Sequence, residues 1–450
     1  NDVDFVILTG GTETGMEMLR RKPDINLSAE TGGKNATIVT AMADRDQACK
    51  NIIYSAFGNS GQKCSATSLL ILEREIYDEE NFKRQLVDAA RSFQAGSAWN
   101  FSNKMGALIH PPQGALQNAM TSLEPGETWA LQPQMVGDNP YLWTPGIKYG
   151  VQPGSTTHTT EFFGALLGVM PADNLEQAIE RVNMTGFGLT SGLESLDPRE
   201  HTVWKKKIKA GNLYINRGTT GAITLRQPFG GMGKSALGPA IKAGGPNYVA
   251  QFMNFEETSL PRIGTLQDED ALLRMALEWR RKLLWGKLAP HKADLTKTIR
   301  AIKSYLYHTE QEFGQAKDYF HLRGQDNIHR YLPLGTIAIR LHAEDNLFDS
   351  LARLAATRIA GNVPIISIPD QLHNDATAFF NTMEGHQIVG KAIVRRQSDE
   401  ELIACMAIVQ RIRYAAPDRV PATVMAAAAK KGFYIARAPV LMEGRIEKLH

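Results

Sequence analysis

The first residue with a potential for chemistry is Cys64, which lies among small and polar side chains in SAFGNSGQKCSATS, residues 55–68. Cysteine more often behaves as a small hydrophobe inside a core. A catalytic thiol needs room for a substrate, and it needs help to ionise because only a few per cent of an unperturbed thiol is thiolate near pH 7. Lys63 and the end of the preceding helix could give that help. The alternative, on this loop alone, is an inert thiol.

Two glutamates beside small residues could supply carboxylates to a site. Glu30, in LSAETGGK, could act as a general base if its surroundings raise its pKa. Glu161, in TEFFGALLG, precedes Phe162 and Phe163, so a carboxylate could bind ribose hydroxyls while a ring contacts a flat cofactor. The alternatives are a solvated surface charge for Glu30 and a strand-end glutamate beside core aromatics for Glu161.

A glycine turn between a predicted strand and a predicted helix could hold an anion. The sequence LTGGTETG lets the backbone approach a ligand, and the following helix N-terminus favours a negative group such as a pyrophosphate. The spacing is not GxGxxG, so the turn alone is a weak indication. The candidate residues are Thr9, Gly10, Gly11, Thr12 and Gly15.

The elements that must position these residues alternate between strands and helices. DFVILTGGTETGMEMLRRKP predicts a strand, a turn and a helix that ends before Pro23, and two short strands follow around Glu30. A helix ending at Gly58 leads into Cys64, and another strand and helix follow it. Residues 96–165 are rich in Gly, Pro, Asn and Gln and predict mainly loops. This alternation indicates an α/β fold.

The second part of the chain predicts a separate α/β region. The pattern changes near residue 262, where charged amphipathic helices begin and continue to about residue 328. YLPLGTIAIRL to NVPIISIPD then predicts strand, loop, long helix and strand, a right-handed βαβ unit. A strand so soon after Asn1 indicates that the chain begins inside a domain.

The composition excludes several classes of protein. Hydrophobic residues make up 43% of the 450 residues, and the net charge of +3 gives no support for a nucleic-acid partner. Three cysteines without a CxxC pair argue against disulfides and favour a reducing, cytoplasmic compartment. No apolar run reaches the ~18 residues of a transmembrane helix. The 11 histidines show no ligand spacing, so we expect no metal site.

Taken together, the motifs resemble the aldehyde dehydrogenase superfamily. They are TGGTETG, ETGGKNATIV, GQKCSA, EFFG and PFGGMGKS, in that order and with the separations of Glu30, Cys64 and Glu161 expected in the family. The stretch NLYINRGTTGAITLRQPFGGMGKSALGPAIKAGGPNYV further resembles the L-glutamate γ-semialdehyde (pyrroline-5-carboxylate) dehydrogenase module of the bifunctional proline-utilisation (PutA) family. Residues 411–450 resemble the C-terminal region of long members of that family.

This resemblance implies a role for each candidate. Cys64 would attack the aldehyde carbon, and its own backbone N–H would stabilise the oxyanion. After hydride transfer to NAD, Glu30 would activate water to hydrolyse the thioester. Glu161 would bind the NAD ribose, Phe163 would lie near the nicotinamide, and the glycine turn would face the pyrophosphate. The implied substrate-binding residues are Ser65, Gly221 and Ala222 of the loop TTGAI, and Phe229.

The resemblance also implies an architecture and partners. The domains would be a C-terminal part of an NAD-binding domain (1–32), a catalytic domain with a terminal oligomerisation strand (33–261), a helical connector (262–329) and a degenerate, non-catalytic aldehyde-dehydrogenase-like domain (330–450). NAD is the implied cofactor, and FAD would belong only to a proline dehydrogenase domain of the same full-length polypeptide. A homo-oligomer and a cytoplasmic location are implied, with peripheral attachment to the inner membrane left open.

Departures from the family pattern leave alternatives open. Gly11 stands where many members have Ser, Ala165 where Pro is usual, and Ile368–Pro369 where the NAD domain has Lys-Pro. The family's second oxyanion donor, an asparagine, would lie upstream of Asn1, so we expect the isolated chain to be a poor catalyst. The competing hypotheses are a dehydrogenase for another aldehyde and a non-catalytic scaffold.

Overall fold

The computed structural model divides into two compact units. The cysteine unit contains residues 7–15 and 29–244, and the C-terminal unit contains the other described residues. No helix in the described part of the chain is long and apolar enough to cross a membrane. The structure describes residues 3–223, 226–264, 270–283 and 286–450.

Strands and helices alternate from the start of the chain to residue 244. The strands are β1 (Val6–Thr9), β2 (Leu27–Glu30), β3 (Asn35–Val39), β4 (Thr67–Glu73), β5 (Thr128–Leu131), β6 (Met135–Val136), β7 (Asn139–Trp143), β8 (Gly146–Tyr149), β9 (Leu166–Ala172), β10 (Phe187–Gly188), β11 (Thr190–Glu194), β12 (Asn212–Ile215), β13 (Met232–Gly233) and β14 (Ala236–Leu237). The helices are α1 (Thr12–Arg21), α2 (Arg45–Phe57), α3 (Arg74–Tyr77), α4 (Glu80–Arg91), α5 (Gly114–Thr121), α6 (Thr156–Thr159), α7 (Leu175–Met184) and α8 (Pro198–Lys207).

A seven-stranded sheet forms the centre of the cysteine unit. Its order is β12-β11-β3-β4-β9-β8-β5, and all neighbours are parallel except β8 and β5. Successive residues of β4 pack on opposite faces: Leu70 and Leu72 join one core with α2 and α4, and Leu69 and Ile71 join another with α7 and α8. Burial on both faces explains the nearly continuous apolar run of this strand. The predicted α/β fold is confirmed.

Local signals set the helix that leads to the cysteine. The Asp44 carboxylate accepts a hydrogen bond from the Gln47 N–H at 3.0 Å and caps the start of α2, and the helix ends before Gly58 as predicted. The prediction of mainly loops over 96–165 is wrong in part, because this region contains α5, α6 and β5–β8. These strands have two to five residues each, too short to leave a clear period among Gly and Pro.

The C-terminal unit contains a second sheet and eight helices among its described residues. The strands are β15 (Lys317–Asp318), β16 (Ile328–His329), β17 (Thr336–Arg340), β18 (Val363–Ile368), β19 (Ile393–Arg396), β20 (Arg411–Arg413) and β21 (Ile435–Ala436). The helices are α9 (Ala271–Lys282), α10 (Lys292–His308), α11 (Leu347–Ile359), α12 (Asp375–Phe380), α13 (Met383–Val389), α14 (Asp399–Cys405), α15 (Ala422–Lys431) and α16 (Gly444–Glu447).

The second sheet has five parallel strands in the order β19-β18-β17-β20-β21. The predicted strand, helix and strand are β17, α11 and β18. One core includes α9, α10 and α11, and the other includes α14 and α15. The helices were expected to continue to about residue 328. Instead α10 ends at His308, a π-helical segment follows to Phe313, and a short β15–β16 ribbon comes next. Gly314 and Gly324 interrupt the sequence there, and glycine favours turns over helix.

A buried ion-pair network lies at the carboxyl ends of β17 and β20. The Arg353 guanidinium donates to an Asp345 carboxylate oxygen at 2.5 Å, and to the backbone carbonyls of Arg340 at 2.9 Å and Arg413 at 3.2 Å. Arg419 adds a second ion pair with Asp345 at 2.6 Å. Doubly wound sheets usually bind ligands at this position, where the strand order reverses. Here side chains of the protein itself fill it.

Candidate active site

Three neighbouring parallel strands bring the candidate motifs together. Cys64 lies just before β4, the EFFG sequence just before β9, and Lys34 just before β3. Because β3, β4 and β9 are adjacent and parallel, the segments that precede them meet at one edge of the sheet. A small cavity at this edge has walls from all three segments, including Gly33, Ala66, Thr67, Glu161 and Phe163.

A buried asparagine holds the backbone of the cysteine loop. The Asn35 side-chain NH₂ donates to the carbonyls of Cys64 at 2.6 Å and Ala66 at 2.9 Å, and its oxygen accepts the Thr190 N–H at 3.0 Å. One side chain thus joins the loop to two strands. The sequence analysis missed Asn35, although a polar residue at the start of the buried run NATIV was a signal for it.

The Cys64 thiol is partly buried and lies near two carboxylates. Burial raises its pKa most, and the negative charges of Glu161 and Glu30 raise it further, while the backbone N–H groups of Ser65 and Cys64 lower it. The resting thiol is therefore protonated at neutral pH, and its attack requires a proton acceptor. The expected help from Lys63 is not seen, because its ammonium faces the ring of Tyr54, 6.0 Å from the centroid.

Glu30 has the properties of a general base near neutral pH. It is the last residue of β2, and burial raises the pKa of its carboxyl to about 7. A hydrogen bond from the Gly231 N–H at 3.0 Å and the positive charge of Lys242 act in the opposite direction. A base with this pKa is about half ionised near pH 7, where proton transfer is most effective.

Glu161 is held by the two glycines that follow Glu30. The Gly33 N–H donates to its Oε1 at 2.9 Å, and burial raises the pKa of the carboxyl while Lys34 lowers it. Gly32 has φ +62°, and a Cβ there would lie 2.1 Å from Glu161 Oε2. No other residue type fits this conformation and this close approach without displacing the carboxylate. The two glycines that follow Glu30 and Thr31 therefore set the position of the Glu161 carboxylate.

The two phenylalanines after Glu161 face different surroundings. Phe162 is buried, and the Lys34 ammonium lies 4.7 Å from its ring centroid. Burial lowers the pKa of Lys34 to about 7, with Glu161 raising it in part. Phe163 is 42% exposed and has φ +52°, an uncommon conformation for a bulky residue. The strained backbone presents its ring to the open side, where a flat ligand could contact it.

The glycine turn lies between β1 and the N-terminus of α1. Gly11 is exposed and a Cβ there would meet nothing within 4 Å, so this side of the turn is open to a ligand. The Thr12 hydroxyl donates to the Thr31 carbonyl at 3.4 Å, which links the turn to the residue after Glu30. Gly15 differs from the other candidates, because it is buried in α1 and faces Leu237. Thr9 is exposed and Gly10 partly buried.

The candidate substrate residues lie on the cysteine loop and on two further turns. Ser65 is buried, and its carbonyl accepts a hydrogen bond from the Thr219 hydroxyl at 2.9 Å. The N–H groups of Gly221 and Ala222 find no acceptor among the described residues, so they could bind a ligand. Phe229 is held in place because its backbone exchanges two hydrogen bonds with Ala243, at 2.9 and 2.8 Å.

The chemical groups of these residues fit the parts of a dinucleotide. An open glycine turn at a helix N-terminus suits a pyrophosphate, and a buried carboxylate beside an exposed aromatic ring suits a ribose and a flat base. Groups of acidic, histidine and cysteine side chains able to hold a metal ion are absent from the described residues. The sequence analysis named Cys64, Glu30 and Glu161, but it missed Asn35 and Lys242.

Comparisons with known proteins agree with this geometry. Residues 1–258 match the model of the aldehyde dehydrogenase family. The chain is 33% identical over 266 residues to 1-pyrroline-5-carboxylate dehydrogenase of Bacillus subtilis, an alignment that covers 57% of this chain and 50% of the relative. The chain thus spans about half the length of the curated relatives it matches.

Solved structures extend the likeness. Proline utilization A (PutA) from Corynebacterium freiburgense matches with a TM-score of 0.79 and 38% identity, over 100% of this chain and 41% of that one. Thermus 1-pyrroline-5-carboxylate dehydrogenase with bound NAD matches with a TM-score of 0.51 and 28% identity, over 56% of this chain and 49% of that one. This chain belongs to the aldehyde dehydrogenase family.

Proposed function

We propose that this chain contributes the catalytic cysteine site for NAD-dependent oxidation of L-glutamate γ-semialdehyde to L-glutamate, the second step of proline catabolism. The observation that carries the proposal is that the Cys64 thiol lies near two partly buried carboxylates, Glu30 and Glu161, whose charges raise its pKa. The activity named for the relatives supports the substrate, and the NAD-bound structure of the Thermus relative supports the cofactor.

The residues divide the reaction into two halves. The Cys64 sulfur attacks the aldehyde carbon as the thiol proton passes to solvent water. The backbone N–H groups of Cys64 and Ser65, which already act on the thiol, stabilise the negative oxygen of the thiohemiacetal. When bound, NAD⁺ supplies the hydride acceptor. The Cys64 thioester that results is hydrolysed by water, which gives a proton to Glu30 as it attacks. The carboxylate of Glu161 and the ring of Phe163 orient the cofactor, and the turn at Gly11 holds its pyrophosphate.

Substrate selection follows from the cysteine loop and from the two turns that carry Gly221, Ala222 and Phe229. The α-carboxylate of the semialdehyde is bound by the N–H groups of Gly221 and Ala222, and the Ser65 hydroxyl adds a donor near the nucleophile. Phe229 covers the aliphatic part of the substrate. An aldehyde dehydrogenase for another substrate would not need this distant anion site, and a scaffold would not need a near-neutral base.

The rest of the assignment concerns the full-length protein. The likeness along the whole chain to a PutA protein of more than twice its length supports a longer bifunctional polypeptide with an FAD-containing proline dehydrogenase domain. Within it, residues 1–32 belong to the NAD-binding domain, 33–261 form the catalytic domain, and 262–329 connect to 330–450. The protein is cytoplasmic and forms a homo-oligomer. The filled crevice around Arg353 supports a degenerate role for the last region.

The test measures NADH formation by the full-length protein with glutamate semialdehyde and with propanal. Cys64→Ala is expected to abolish turnover, whereas Cys49→Ala, which removes a thiol in the core of α2, keeps it. A strong preference for the semialdehyde supports the anion site at Gly221 and Ala222. Turnover that survives in Cys64→Ala would refute the proposed nucleophile, and equal use of propanal would favour the alternative of another aldehyde.

A further inference from the structure

We infer that Lys242 is a positioning residue for the general base: its ammonium group fixes the turn that hydrogen-bonds Glu30 and supplies positive charge beside that carboxylate. The inference rests on the proposed function, because it assumes that Glu30 accepts a proton from water. It goes beyond that function by giving a role to a lysine whose ammonium hydrogen-bonds Gly211, Asn212 and Gly230.

All three donors of the Lys242 ammonium are used inside the cysteine unit. Its Nζ donates to the carbonyl of Gly211 at 2.6 Å, to the carbonyl of Gly230 at 2.7 Å and to Asn212 Oδ1 at 3.2 Å. These acceptors are uncharged and come from the start of β12 and from the turn that follows Phe229. An ammonium with three short contacts of this kind acts as a clamp between two segments.

The clamped turn reaches Glu30 through one peptide unit. Lys242 holds the Gly230 carbonyl, and the N–H of that same peptide group, on Gly231, donates to Glu30 Oε2 at 3.0 Å. The Gly230 N–H is fixed as well, because it donates to Asn212 Oδ1 at 3.1 Å. A Cβ on Gly230 would lie 2.9 Å from Glu30 Oε1 and 3.1 Å from Lys242 Cα, so the glycine separates the carboxylate from the lysine by a single backbone thickness.

Lys242 is also the charge that acts on Glu30. Burial of the carboxylate opposes its ionisation, and the lysine favours it. Glu30 in turn raises the pKa of the Cys64 thiol, which is neutral at rest. The paired strand β14 faces Glu30 with Ala236 and adds no charge. Removal of the ammonium would therefore make Glu30 harder to ionise and would loosen the donor that holds it.

An assay without cofactor isolates this step. In p-nitrophenyl acetate the Cys64 sulfur attacks the acetyl carbon, the S–C bond forms as the ester C–O bond breaks, and nitrophenolate leaves while the thiol proton passes to solvent. Water then attacks the acetyl thioester, gives its proton to Glu30 and releases acetate and the thiol. The nitrophenolate burst counts intact sites, and the steady rate per burst reports hydrolysis.

The experiment compares pH profiles of that rate in the full-length protein. Lys242→Met is expected to move the acidic limb to higher pH by about one unit, with a roughly fivefold slower rate per site at pH 7. Lys234→Met is the matched control, because this exposed lysine also donates to a carbonyl, of Thr185 at 3.1 Å, and is expected to keep the wild-type limb. Asn212→Asp keeps an oxygen for Lys242 but adds negative charge, so it shifts the limb in the same direction.

The outcomes separate the inference from the function on which it rests. If the acidic limb of the pH profile of Lys242→Met lies at the wild-type pH, the inference is overturned, even if the rate has fallen equally at every pH. If Lys242→Met gives no burst because it fails to fold, an unshifted limb in Asn212→Asp overturns it instead. A wild-type burst that is unchanged in Cys64→Ala would refute the proposed nucleophile and not the lysine alone.

Discussion

At the scale of single residues, burial shifts the pKa of all three central groups upward, with a different consequence for each. It raises the pKa of Cys64, Glu30 and Glu161. For Glu30 the result, about 7, suits a group that must gain and lose a proton near neutral pH. For the Cys64 thiol the same effect keeps it protonated at neutral pH. For Glu161 a hydrogen bond from Gly33 keeps the carboxylate in place.

The first prediction concerns the division of labour between Cys64 and Glu30. Glu30→Gln removes the base but leaves the nucleophile, so thioester formation continues and hydrolysis slows by about 10²-fold or more. We expect a rapid burst of about one NADH per site followed by a slow phase, measured by stopped flow on the full-length protein. A steady rate equal to wild type would exclude Glu30 as the base.

The second prediction concerns Gly32. In Gly32→Ala the new methyl would have to occupy a position 2.1 Å from Glu161 Oε2 at φ +62°, so the carboxylate must move. We expect weaker NAD binding, measured by calorimetry, because Glu161 is the proposed ribose ligand. Gly106→Ala is the control, because a Cβ there meets nothing within 4 Å. Unchanged NAD affinity in Gly32→Ala would contradict the role of Glu161.

At the scale of elements, a chain of buried hydroxyls joins two strands to the substrate loop. The hydroxyl oxygens of Thr37 on β3 and Thr67 on β4 lie 3.0 Å apart, and the Thr67 hydroxyl oxygen lies 3.0 Å from that of Thr219. The Thr219 hydroxyl donates to the Ser65 carbonyl at 2.9 Å. Since each hydroxyl has one proton, the donors must run from Thr37 to Thr67 to Thr219 to Ser65. The backbone of Thr219 is fixed as well, because its N–H donates to Ser55 Oγ at 3.0 Å.

The third prediction tests this link between the nucleophile and the anion site. Thr219→Val removes the shorter of the two hydroxyl donors to the Ser65 carbonyl and leaves the Thr190 hydroxyl at 3.4 Å. Loss of such a bond costs on the order of 1 kcal/mol. We expect the preference for glutamate semialdehyde over propanal, measured as the ratio of their kcat/KM values, to fall about fivefold. Thr219→Ser keeps the hydroxyl and is expected to restore it. An equal loss in both variants would contradict the role of the hydroxyl.

At the scale of the whole molecule, each unit buries polar groups that its core must satisfy. In the cysteine unit, Glu194 at the end of β11 is buried, and both its oxygens accept from the Asn51 side chain of α2, at 3.0 and 3.2 Å. Burial raises the pKa of Glu194 to about 8. The folded protein therefore holds a proton that the unfolded chain loses, and stability falls as pH rises from the unfolded pKa through about 8.

The fourth prediction follows from that sign. Glu194→Gln keeps the shape but cannot ionise, so we expect it to raise the free energy of unfolding at pH 8 by on the order of 1–3 kcal/mol and to change it little at pH 4. Thermal midpoints at the two pH values measure this. Glu180→Gln, at an exposed position, should show no such difference. A stabilisation that is independent of pH would contradict the proton linkage.

Sequence patterns predicted much of each unit because local signals were strong. The helix between Asp44 and Gly58 was foreseen from its apolar face and its ends, and the β17–α11–β18 segment from its apolar runs. Two-residue strands such as β6 and β15 leave no period to detect. The end of the helical region was also missed, because α10 passes into a π-helical segment, Thr309–Phe313, that no sequence period marks.

For the site, the sequence by itself determined which groups are the candidates for the reaction, because Cys64, Glu30 and Glu161 stand in motifs whose residue types and order are specific. Tertiary structure decided their properties. The pKa of Glu30 depends on burial and on Lys242, more than 200 residues away along the chain, and the Cys64 loop depends on Asn35, at the start of a neighbouring strand. Such contacts leave no local pattern, since they arise from the convergence of segments at one edge of a parallel sheet.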